Sequence, residues 1–89
     1  MWIVGIIKWI VTNDGRHEII HCNCHTFRSK DNALLRSGEV MAALEREGYS
    51  LHSINVPPNE EYIGALGYIR KSLRKDCSDI YSTVFINKN

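Results

Sequence analysis

Apolar side chains fill Trp2 to Val11 at consecutive rather than alternate positions, with Lys8 the one charge among them. The run is rich in β-branched and aromatic residues and stops at Asn13-Asp14-Gly15, so it predicts a strand over Trp2–Thr12 closed by a hairpin turn. Arg16–Phe27 is then the return strand. From Asp31 to Glu47 the period changes to that of a helix. Ala33, Leu34, Val40, Met41 and Leu44 fall in one arc with Ser37 among them, and Gly48 supplies the stop. Gly38 costs such a helix about 1 kcal/mol, and a break there is the alternative reading. Tyr49–Val56 predicts a short strand ended by Pro57-Pro58. Asn59 reads as the N-cap of a second helix running to Lys75, with Glu60 and Glu61 in its first turn and Tyr62, Ala65, Leu66, Ile69 and Leu73 as its apolar face. Ile80–Asn87 is the last strand.

The expected architecture is a single α+β domain over residues 1–89. Its order is β-β-α-β-α-β, and a four-stranded mixed sheet carries both helices on one face. A two-residue turn at Asp14-Gly15 pairs residues whose numbers sum to 29. One side of the ribbon then carries Ile3, Gly5, Ile7 and Trp9 beside Ile20, Cys22 and Cys24. This compact side is expected under the helices. The other side, with Trp2, Val4, Ile6, Lys8 and Ile10 beside His17, His21 and His25, is expected to face away. A three-residue turn would exchange the pairing and place Lys8 beside Ile20. A first strand that does not alternate leaves an apolar patch on whichever side stays bare, and such patches mark interfaces.

Composition narrows the partners. The chain has 89 residues, eleven Lys plus Arg against ten Asp plus Glu, and a net charge of +1, so no global field recruits nucleic acid or an anionic membrane. The opening apolar run is interrupted by Lys8 and is far shorter than the ~20 residues of a membrane span. Three cysteines, an odd number without framework spacing, point to a reducing, cytoplasmic setting rather than a disulfide-stapled module.

The most chemically suggestive segment is His21-Cys22-Asn23-Cys24-His25. In a strand its thiols and imidazoles point to opposite faces, which disfavours a common zinc ion, and no metal or other cofactor is expected. Cys22 and Cys24 read as small buried residues. Cys77, after a helix end and beside Asp76 and Asp79, lacks the setting of a nucleophile. No phosphate loop, nucleophile elbow or paired carboxylate is present, so no catalytic residue is assigned. The expectation is a small non-enzymatic inhibitor, adaptor or regulatory subunit. It binds a protein or a second copy of itself through Trp2, Val4, Ile6, Ile10, His21 and His25, with Tyr68 and Arg70 as a second contact. The alternative is a nucleic-acid binder using Arg70, Lys71, Arg74 and Lys75 on the second helix.

Overall fold

The computed structural model describes the backbone of residues 1–55 and 62–88, with the side chains of all of these except 62 and 63. Five strands and one helix follow one another as β1 (Trp2–Val11), β2 (His17–Phe27), α1 (Lys30–Arg46), β3 (Ser50–Asn55), β4 (Tyr62–Lys71) and β5 (Asp79–Lys88). The strands form one sheet of order β2-β1-β5-β4-β3, and every neighbouring pair is antiparallel.

The hairpin reconciles the two registers that the sequence allows. At its tip the loop has three residues: Thr12 N donates to Arg16 O at 2.8 Å and Gly15 N to Thr12 O at 2.8 Å. Gly15 holds φ at 86°, where a side chain would be strained. Trp9 therefore pairs with Ile19. Between Lys8 and Trp9 the register shifts, and from Lys8↔His21 to Trp2↔Phe27 the numbers sum to 29. Ile20 is the extra residue of a β-bulge, so most of the ribbon keeps the pairing of a two-residue turn.

Helix α1 begins at Ser29, whose hydroxyl accepts from Asn32 N at 3.2 Å, with Asp31 in the first turn. It passes Gly38 without a break and ends before Gly48, whose φ is 90°. Leaving β2 at one edge of the sheet and delivering the chain to β3 at the other, it lies on one face only. Leu44 packs there with Tyr49, Tyr68 and Val84, supported by Ile6, Val40, Met41, Leu66 and Ile80. Ala33 packs with Val4 and Ile86, flanked by Trp2 and Phe27.

Residues 62–71 correct the sequence reading: they form a strand, so the domain has five strands and one helix rather than four and two. The expected helix start at Asn59, Glu60 and Glu61 lies outside the described residues. Apolar residues at 62, 65, 66 and 69 satisfy helical spacing, but the same stretch is apolar at both strand parities. Two observations favour the strand. Gly64 and Gly67 would each cost a helix about 1 kcal/mol. As a strand, the segment pairs with β5 on one side and β3 on the other, which satisfies its backbone groups. The link from β4 to β5 is consequently a short turn, closed by Ser72 N to Ser78 O at 3.0 Å.

Candidate functional site

Alternation along the strands assigns each residue to a face, and the cores under α1 fix which is which. On the helix side lie Trp2, Val4, Ile6, Lys8 and Ile10 of β1, across from Lys88, Ile86, Val84, Ser82 and Ile80 of β5. Val4 is 3% exposed and Ile10 is fully buried. This placement is the reverse of the one expected, because the side proposed to meet a partner is the side that α1 covers. Apolarity alone does not choose between two greasy faces. Handedness chooses one only when the strand order is known, and reading 62–71 as a helix gives another order.

The helix-free face is consequently the one with Ile3, Gly5, Ile7 and Trp9. Beside them on β5 stand Asn87, Phe85, Thr83 and Tyr81, and beyond β5 stand Ala65, Gly67 and Ile69 of β4. Its relief is set by two glycines and three rings. The Phe85 ring lies across Gly5, where a β-carbon would come within 2.1 Å of Phe85 Cζ. Ser53 Oγ occupies the corresponding space over Gly67. Trp9 and Tyr81 stack with centroids 5.5 Å apart and planes 19° from parallel.

Ile3, Ile7, Trp9, Ile69, Tyr81 and Phe85 are all half-buried. They shield one another sideways, and among the described residues no element lies over them. The only strand charges on this face, again among the described residues, are Lys71 and Asp79, which face each other at 3.9 Å near one end. The signal for this surface was present in the sequence, since the first strand and 65–69 carry no polar residue at the parity opposite to the core, and the last strand places two aromatic rings there, Tyr81 and Phe85.

The other singled-out residues disperse. His21 and His25 are exposed on the helix side of edge strand β2, and His21 lines a groove of about 190 Å³ whose wall is part polar, with Lys8, Arg36, Glu39 and Glu47, and part apolar, with Ile6 and Val40. Cys22 and Cys24 are on the opposite face and are exposed, not buried, because β2 ends the sheet and no described element lies beyond it. Among the described residues no group of three or more His, Cys, Asp or Glu side chains could hold a metal ion. Cys77 is buried in the β4–β5 turn, where its thiol donates to Ser72 Oγ at 3.1 Å.

Tyr68 is a core residue rather than a surface anchor, and burial together with the nearby Glu45 carboxylate pushes its phenol pKa upward. Arg70 lies over the Tyr49 ring and donates to Glu47 O at 2.7 Å. Lys71 points to the other face. Arg74 makes two bonds to the Asp76 carboxylate, at 2.9 and 2.7 Å, and approaches Glu18 at 3.8 Å. The single basic helix face expected from Arg70, Lys71, Arg74 and Lys75 does not exist. A strand and a turn separate these residues, and three of them already meet acceptors of this chain.

Among the described residues no helix is long and apolar enough to cross a membrane. Comparison with protein-family models, curated proteins and solved structures gave no match, so geometry carries the functional reading.

Proposed function

We propose that this chain is a small non-enzymatic interaction protein, of the inhibitor, adaptor or regulatory-subunit kind, that docks on protein through the helix-free face of its sheet. The observation that carries the reading is the bare surface of Ile3, Ile7, Trp9, Ile69, Tyr81 and Phe85, with no element of this chain over it among the described residues. Aromatic enrichment with charge depletion is the composition of the centre of a protein–protein interface. Nucleic acid would require cations to neutralise phosphate, and among the described residues the strands of this face offer only Lys71, opposite Asp79. A reducing, cytoplasmic setting fits three free thiols of which two are exposed.

Three tagged baits test the reading in extract of the native cell supplemented with untagged chain: wild type, Thr83→Lys at the centre of the bare face, and Leu35→Lys on the outer surface of α1. A protein, whether foreign or an untagged copy, should be retained in stoichiometric amount by wild type and Leu35→Lys and lost with Thr83→Lys. Equal retention by all three, or retention by none, ends the reading.

A further inference from the structure

Resting on the reading of that face as a docking surface, we infer that its occupant is a second copy of the chain. The two sheets stack face to face, with Ile3, Ile7, Trp9, Ile69, Tyr81 and Phe85 of both copies forming the seam.

Area is the first argument. Four strands of ten or eleven residues and one of six, at about 3.3 Å per residue and about 4.8 Å between strands, span roughly 33 × 24 Å. The face therefore offers on the order of 800 Å², about what each partner contributes to an ordinary stable interface. Its apolar centre covers the three middle strands, and the edge strands form the rim: Ile19, Cys22, Cys24 and Thr26 of β2 on one side, the polar Ser50, Ser53 and Asn55 of β3 on the other.

Charge supplies the second argument. A two-fold interface sets a surface against itself, so any net charge confronts its own image. Lys71 and Asp79 cancel within one copy, and no other strand charge is present on this side among the described residues. A foreign partner is usually selected by complementary charge, for which this surface provides no handle.

The third argument is relief. Packed sheets sit about 10 Å apart, which requires a layer of compact apolar side chains and few long polar ones. Ile3, Ile7, Ile69, Ala65, Thr83 and a Phe85 ring laid flat over Gly5 form such a layer.

The test is sedimentation velocity on the full chain, from low micromolar to several hundred micromolar, with reductant present so that Cys22 and Cys24 cannot cross-link. Wild type should reach twice the monomer mass. Thr83→Lys, with an unchanged circular-dichroism spectrum, should raise the dissociation constant at least about tenfold, because each dimer would bury two unpaired ammonium groups. Leu35→Lys should leave it unchanged. In a Trp2→Phe background, quenching of Trp9 by acrylamide should fall as concentration rises, which reads the seam without a charge substitution. A dimer that survives Thr83→Lys, or Trp9 quenching independent of concentration, overturns the inference. A wild-type chain that stays monomeric also overturns it, and the bait experiment then decides whether the face serves a foreign protein or none.

Discussion

Between Gly5 and Phe85 the bare face is closed by a single ring, and a methyl group added at Gly5 would stand 2.1 Å from Phe85 Cζ. The ring is the far end of a side chain on an uncovered surface, so it can swing outward rather than split the sheet. Gly5→Ala should therefore cost about 1–3 kcal/mol, the usual range for overfilling a packed site. Adding Phe85→Leu should recover part of the loss, because the two residues are direct cross-strand partners. Urea unfolding of the two single variants and the double variant measures the coupling, and strictly additive losses would show that the ring does not lean on the glycine.

Among the elements, α1 carries one residue that its own fold does not require. Gly38 has helical backbone, and a β-carbon there would meet nothing within 4 Å. Gly38→Ala should stabilise the chain by about 1 kcal/mol, seen as a higher urea midpoint with an unchanged slope. Four of the strands and this helix were legible in the sequence because each has a local mark: the Asn13-Asp14-Gly15 turn, the arc from Ala33 to Leu44, the Gly48 stop, the β-branched and aromatic run from Ile80 to Ile86. The stretch from Tyr62 to Lys71 has no such mark. Its apolar residues suit either period, and long-range pairing with β3 and β5 decides the outcome. Exposure of Cys22 and Cys24 was likewise hidden, since only the sheet order reveals that β2 is an edge.

For the molecule as a whole, the two turns at one end of the sheet are tied together. Asn13 N donates to Asp76 O at 2.8 Å and Asn13 Nδ2 to Lys75 O at 3.2 Å, joining the hairpin to the β4–β5 turn. Two carboxylates serve this junction. The Thr12 hydroxyl, with Arg16, holds Asp14 below its ordinary value of 3.8, and Arg74 does the same for Asp76. A lowered folded-state value means that the stabilisation is complete above 3.8 and is lost as pH falls through the lower folded values. The urea midpoint should thus be insensitive to these groups near neutrality and drop below about 3.8, with a smaller drop in Asp14→Asn. An equal acid response in that variant would remove Asp14 from the account. At this scale the sequence showed that the ribbon is apolar on both sides, a property of Trp2 to Val11 alone. Which side α1 takes is a property of the whole topology, so the exposed surface was foreseen in kind and assigned to the wrong residues.

The bulge at Ile20 has a bearing on what the outer border of the sheet can do. From Ile19 to Phe27 the outer border of the sheet carries no Lys, Arg, Asp or Glu, the composition that invites stranger chains to add themselves indefinitely. The bulge interrupts that border between Ile19 and His21, so a strand adding along His21–Phe27 loses its register there. The squeezed-out isoleucine thus bounds the length over which a stranger chain can add to this edge at seven residues, His21 to Phe27.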